Sequence, residues 1–257
     1  MTSPDTRTLV ELDGEVTELQ ALQSVAPACD CTITPGPGDQ LCWLSGTKID
    51  DAATPQQARD EASKILVLLN GIARLENPKH HNVDLADCVF QSKRLHHCAP
   101  HGWRSRARSQ MFVYGSFLGG VVAPPVDPAV ERRRKRLVTE PKLTLIVEAF
   151  DQEITWQRLR VAFERVCDLV GGSDNALVRQ GYASARELAS FKANVQDPRH
   201  SGVEAVHGVP HGPLKGEKMT ETEGCDFVVR LLNTYLEKQP PTVRSMAPKP
   251  KGLRPQG

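Results

Sequence analysis

The sequence has no excess of either sign of charge. Its 257 residues include 32 Lys and Arg against 31 Asp and Glu, so the formal net charge at pH 7 is +1. A protein that binds polyanions with its whole surface carries a clear positive excess. Any nucleic-acid site in this chain is therefore expected to be a local patch.

Long apolar runs are also missing. No segment approaches the roughly 20 apolar residues that cross a bilayer, and the N-terminal MTSPDTRTLVEL lacks the regions of a secretion signal. Seven cysteines, an odd number at irregular spacings, favour reduced thiols over a complete disulfide framework. We expect a cytoplasmic protein with no membrane partner.

The common catalytic motifs are absent as well. Hydrolase, kinase and dinucleotide-binding signatures do not occur, and the glycine pairs Gly119-Gly120 and Gly171-Gly172 do not form a phosphate-binding loop. The sequence therefore predicts no cofactor. Its composition, with 39% hydrophobic and 25% charged residues, is that of a globular protein with a buried core.

Residues 1–120 have the pattern of a β-rich domain with one helix. The helix is predicted over residues 53–75, where Thr54 is an N-cap, Pro55 takes the first helical position and apolar residues recur every three or four positions. PGPGD at residues 35–39 separates two strand-like runs and predicts a hairpin. The strand-like segments are residues 8–12, 31–34, 40–46, 82–90 and 109–117.

A stretch rich in Gly and Pro, residues 115–128, marks the predicted domain boundary. After it, residues 121–238 carry amphipathic patterns that predict an all-α helical bundle. Residues 239–257 are rich in Pro, Lys and Arg without apolar periodicity, which indicates a disordered basic tail. The predicted fold class is thus α+β in two domains. The clearest predicted helices of the second domain are residues 127–138, 154–172, 185–194 and 220–238.

Three segments of the helical half carry a resemblance to known families. They are a long helix that ends at Gly171-Gly172, residues 181–184 leading into FKANVQDPRH, and Met219-Thr220-Glu221 before the last helix. In this layout residues 127–238 resemble a class of uncharacterised bacterial proteins with all-helical C-terminal domains. More distantly, they resemble the HEPN superfamily of helical domains.

The HEPN resemblance implies an active site. In HEPN ribonucleases this site is an Arg, usually followed by a polar residue such as Asn, and then a His four to six residues further on, often completed across a homodimer. The resemblance gives this role to Asn194 and His200, which five residues separate. The Arg of the pattern is missing, because Ala193 precedes Asn194 and Lys192 is the nearest upstream basic residue.

The segment FKANVQDPRH also has chemistry of its own. Metal-free RNA cleavage needs a base near the 2′-OH and a proton donor for the leaving oxygen, and a histidine can serve in either role. We predict His200 for it, with Arg199 or Lys192 stabilising the phosphorane and Asn194 orienting the histidine. The alternatives are anion or RNA binding without chemistry, and a structural role in which Arg199 and His200 complement a helix C-terminus.

A second candidate site is basic and aromatic. Arginines interleaved with an aromatic residue can neutralise phosphates and stack on an unpaired base. Another basic run, residues 132–136, is interpreted as an exposed linker helix, with a polyanion contact as the alternative. The predicted nucleic-acid-binding residues lie in one predicted loop and are Arg94, Trp103, Arg104, Arg106 and Arg108.

Histidines and cysteines cluster in the N-terminal half. Five of the eight histidines lie between residues 80 and 101. Cys29-x-Cys31 with Cys98-x-x-His101 offers two short-spaced pairs of the kind that zinc uses, but the spacing is not that of a recognised zinc module. We therefore predict loop histidines without a metal.

Two function classes follow. The first is an HEPN-like nucleic-acid-associated protein that binds or cleaves RNA. The second is a non-enzymatic adaptor or assembly protein, whose helical half forms a homodimer or docks a protein partner and whose polar residues are structural. The first class predicts RNA affinity that falls as the salt concentration rises, and the second predicts no RNA affinity.

Overall fold

An antiparallel sheet forms the N-terminal half of the fold. The computed structural model describes residues 7–35, 42–91, 94–98, 126–205 and 216–239. The strands are β1 (Leu9–Asp13), β2 (Cys31–Pro35), β3 (Cys42–Gly46), β4 (Asp84–Gln91) and β5 (Arg94–His97). Their order in the sheet is β2-β3-β1-β4-β5. The predicted hairpin is confirmed, because β2 and β3 pair from Cys31 opposite Gly46 to Pro35 opposite Cys42.

The prediction of a loop around Arg94 is wrong for residues 94–97. These residues form β5, which pairs with β4 so that Phe90 faces Leu95 and Gln91 faces Arg94. Their polar, basic composition favours a loop, whereas the backbone hydrogen bonds of β4 supply the partner that makes a strand. The predicted strand at residues 109–117 lies outside the described residues.

The N-terminal half holds more than the single predicted helix. The helices are α1 (Val16–Val25), α2 (Thr47–Asp50) and α3 (Pro55–Glu76), with a 3₁₀ turn at Ala26–Cys29. Helix α3 is the predicted one, and Thr54 caps it by accepting from the backbone N–H of Gln57. Helix α1 was missed because Glu15 gives it no side-chain cap and only Leu19, Leu22 and Val25 are buried.

The described residues from 126 onward contain helices and no strand. Together with the sheet they make the fold mixed α+β, as predicted. Caps at Asp127, Thr155, Ser184 and Thr220 confirm the four predicted helices, and the last two are complete capping boxes. The helices are α4 (Pro128–Thr139), α5 (Pro141–Ala149), α6 (Trp156–Val170), α7 (Asp174–Arg179), α8 (Ala185–Gln196), α9 (Pro198–Ser201) and α10 (Glu221–Lys238).

The interpretation of residues 132–136 as an exposed linker helix is wrong. Arg134 is buried, and its guanidinium donates to both carboxylate oxygens of Glu76 on α3 and to the carbonyl of Ser24 on α1. Arg136 donates to Glu140 and to carbonyl oxygens at the end of α10, and Lys135 pairs with Asp30. This basic run therefore connects α4 to three other elements of the fold.

One hydrophobic core passes through the described parts of both halves. It includes sheet residues such as Val10 and Leu44 and residues of α10 such as Leu231. The domain division at residue 120 stays a prediction, since residues 99–125 lie outside the described part, as do residues 240–257 of the predicted tail. None of the described helices combines the length and apolar character needed to cross a membrane.

Candidate binding cleft

The predicted catalytic residues have different environments. Asn194 lies in α8 and is fully buried, whereas Lys192 in the same helix is partly exposed. Arg199 is exposed and His200 is partly buried in α9, a one-turn helix. Helix α8 ends at Gln196, and Pro198 begins the separate helix α9 with Asp197 as its N-cap. A proline at the first helical position removes no hydrogen bond, so it can start α9.

Asn194 holds the chain before α10 against α8. Its amide nitrogen donates to the carbonyls of Ser190 at 2.8 Å and Glu217 at 2.7 Å, and its oxygen accepts from the Met219 N–H at 2.9 Å. Ser190 Oγ accepts from the N–H of Glu217 at 3.2 Å. In this structure the side chain orders residues 217–219, and its burial keeps it from contact with a ligand.

We expect Asn194→Ala to lower the free energy of unfolding by about 2 kcal/mol, because it leaves the partly buried carbonyl of Glu217 and N–H of Met219 without their partner. The matched control is Lys192→Ala on the same helix, where loss of a partly exposed ion pair with Asp174 should change stability by about 0.5 kcal/mol or less. Urea unfolding of both variants measures the difference. A fully stable Asn194→Ala protein would contradict the structural role.

Arg199 is part of the cap of α9. Its guanidinium donates to both carboxylate oxygens of Asp197, and its backbone N–H also donates to Asp197. These hydrogen bonds from Arg199 lower the pKa of Asp197 to about 2. The carboxylate is therefore ionised at neutral pH, and a phosphate would have to compete with it for Arg199.

A cleft of about 370 Å³ opens between α6 and α8. Its apolar lining comes from buried side chains of both helices, and the rings of Phe163 and Phe191 lie 5.0 Å apart between centroids. Residues 160, 163, 164, 167 and 168 share one face of α6 because they are spaced by three or four positions. Residues 172–174 and four residues of α8 complete the lining. The apolar members are Phe163, Cys167, Phe191 and Val195.

Charged side chains form the rim of this cleft. Arg160 donates to Glu164 at 2.8 Å, and Lys192 pairs with Asp174. Asp168 makes no ion pair within the described part of the chain. The two cations are thus each matched by one carboxylate, and one exposed carboxylate is left over. This combination of apolar floor and charged rim is suited to binding.

Cys167 belongs to the apolar floor of the cleft. Burial raises the pKa of its thiol from 9.0 to about 12, and nearby Asp174 and Asp168 add to the rise. We expect its alkylation by iodoacetamide at pH 8 to be roughly a thousandfold slower in the native protein than in urea, since the thiolate is the reactive form. Mass-mapped labelling checks this. Equal native and unfolded rates would mean that the thiol is accessible and that its pKa is not raised.

The predicted basic loop is described only in part. Arg94 is exposed on β5, whereas Trp103, Arg104, Arg106 and Arg108 lie outside the described residues. Their nucleic-acid-binding role stays a prediction.

The histidines and cysteines of the described residues form no group of three or more metal-ligating side chains. His101 lies outside these residues, so the pairing with Cys98 is not described. His80 lies in the loop between α3 and β4 and is buried there, with Nδ1 against the Glu18 carboxylate and Nε2 3.4 Å from Asn70 Oδ1. Burial raises the pKa of Cys29 and of Cys31 to about 12, so both thiols are protonated at neutral pH.

The cleft was not found from the sequence. The sequence feature that could have indicated it is the series Arg160, Glu164 and Asp168 beside the apolar face of α6. Such a series is also typical of a solvent-exposed helix face, so it does not indicate a cleft. Comparison of the chain with family models, with curated proteins and with solved structures finds no match.

Proposed function

We propose that the protein is a non-enzymatic adaptor that docks a segment of a partner protein in the cleft between α6 and α8. The observation that carries this proposal is the cleft. Buried apolar side chains of two helices line its base, and charged side chains line its rim. Grooves between helices are a recurring mode of peptide recognition. The buried position of Asn194 supports the proposal, since it gives that residue a structural role.

The ion pairs of the helical half also favour docking over phosphate binding. Five ion pairs on its surface join a cation to a neighbouring carboxylate, and a phosphate would have to displace the acid from each of them. They are Arg160–Glu164, Arg186–Glu217, Lys192–Asp174, Arg199–Asp197 and Arg230–Glu187.

A second proposal is an HEPN-like module that binds or cleaves RNA. The specific observation in its favour is the exposed guanidinium of Arg94 at the start of β5, just before the arginines around Trp103 in the sequence. β5 is the last strand of the sheet that the described residues form, and such a strand followed in sequence by a basic, aromatic segment is suited to a single-stranded nucleic acid. In this proposal His200 and the residues near it supply the chemistry.

One experiment compares the two proposals. The purified protein is panned against a phage-displayed library of random short peptides, and it is separately incubated with labelled single-stranded RNA at two salt concentrations with and without a chelator. Gln196 is exposed and lines the cleft, so Gln196→Trp should block it. Ala185→Trp adds the same side chain on the exposed first turn of α8 and is the control.

The adaptor proposal expects enriched peptides that bind the wild-type and Ala185→Trp proteins and bind Gln196→Trp at least about tenfold more weakly. It is overturned if no peptide is enriched, or if Gln196→Trp binds as well as wild type. Chelator-resistant RNA cleavage, or RNA binding that falls steeply with salt, would favour the HEPN-like module instead.

A further inference from the structure

The charges of the cleft indicate what kind of segment it binds. We propose that the occupant is a cationic peptide that inserts a lysine or arginine side chain beside Asp168, with an apolar neighbour on the floor of the cleft. This inference rests on the proposed docking function and adds the chemistry of the partner.

The argument begins with the carboxylate of Asp168. Among the described residues it lines the cleft without an ion pair, while the rim cations Arg160 and Lys192 each have a carboxylate of their own. The rim as a whole carries two positive and three negative side chains and is therefore acidic by one charge. An acidic peptide would face this charge unfavourably, whereas a cation completes the pairing.

The floor of the cleft decides which cation fits. Phe163, Phe191 and Val195 line the base of the cleft but are only 6%, 1% and 3% exposed, so they offer a narrow apolar strip beside the rim. A lysine or arginine side chain has an aliphatic stem that covers such surface and a charged end that stays near water and a carboxylate. The volume of about 370 Å³ is within the range of ligand pockets and leaves room for an apolar neighbour of the cation.

A Lys192 variant can distinguish a cation site from an anion site, because the two predict opposite changes in peptide affinity. If the cleft binds a cation, removal of the Lys192 ammonium leaves Asp174 unpaired and makes the rim more acidic, so affinity should rise. If Lys192 instead belongs to an anion site, as the sequence first predicted, the same change should weaken binding. Lys192→Met is the suitable variant because it keeps an unbranched apolar side chain of similar length.

The test uses the peptides enriched by panning and measures their affinities by fluorescence anisotropy. We expect them to contain Lys or Arg next to an aliphatic or aromatic residue. Asp168→Asn should weaken their binding by roughly threefold and Asp168→Lys by roughly tenfold, since the carboxylate is exposed and screened. Lys192→Met should strengthen binding by roughly threefold. The matched control is Asp226→Asn, an exposed aspartate of α10 that does not line the cleft.

The outcomes separate the inference from the function on which it rests. Enriched peptides that are acidic or uncharged, or that bind Asp168→Asn as tightly as wild type, would overturn the inference while leaving a docking cleft. Weaker binding by Lys192→Met would overturn it in the same way. Failure to enrich any peptide would overturn the docking function itself.

Discussion

Replacement of Gly71 by alanine should destabilise the protein by about 3 kcal/mol or more. A Cβ atom at this position would lie 2.3 Å from the carbonyl oxygen and 2.7 Å from Cγ1 of Val147, a buried residue of α5. Alanine stabilises an isolated helix by about 1 kcal/mol relative to glycine. The steric clash with Val147 must therefore cost more than this gain for the protein to lose stability. Because the closest atom is backbone, α3 and α5 have to separate and lose buried apolar contact.

Two further variants isolate this cause. Gly224→Ala in α10 is the control, since its Cβ would meet the outer ring atoms of Trp156 at 2.8 and 2.9 Å, and a side chain adjusts more easily than a helix backbone. We expect a loss of about 1 kcal/mol there. Adding Val147→Ala to Gly71→Ala should not restore stability, because the carbonyl oxygen stays in place. Urea unfolding gives all values, and an unchanged Gly71→Ala would contradict the close helix contact.

The parts of the fold that were predictable carry their own local signals. Helices α3, α6, α8 and α10 begin at residues whose side chains cap them, and their apolar residues recur at helical spacing. Helix α1 has no such cap, and β5 has a composition that favours a loop. Both are formed by packing and strand pairing with other elements, which local patterns do not contain.

The candidate site was less predictable for the same physical reason. Asn194 was predicted beside a catalytic histidine because it is near His200 in sequence, yet its hydrogen-bond partners Glu217 and Met219 lie more than 20 positions away. Arg134 is paired with Glu76, which is 58 positions away. A polar residue in a sequence shows which hydrogen bonds it can make but not which group will be near enough to accept them.

Arg74 is another buried polar residue with partners far away in the sequence, and its replacement should have the other large effect. The guanidinium makes five hydrogen bonds: two to the His80 carbonyl, one each to the carbonyls of Phe150 and Gln152, and one to Asn82 Oδ1. Burial lowers the pKa of Arg74, and the nearby Asp151 opposes that change. A charged group with this many neutral acceptors joins α3 to the end of α5.

We expect Arg74→Met to lower the free energy of unfolding by about 4 kcal/mol, because the stem is kept while three backbone carbonyls and Asn82 lose their donor. Arg158→Met is the matched control, since Arg158 contacts neighbouring Asp151 and Gln152 but is partly exposed, and it should cost about 1 kcal/mol. Arg74→Lys should lie between them, because an ammonium cannot reproduce the planar fork of donors. Denaturant unfolding at constant pH measures the series. If Arg74→Met were no less stable than Arg158→Met, water would have to satisfy these carbonyls, and the two halves would not depend on this side chain for their contact.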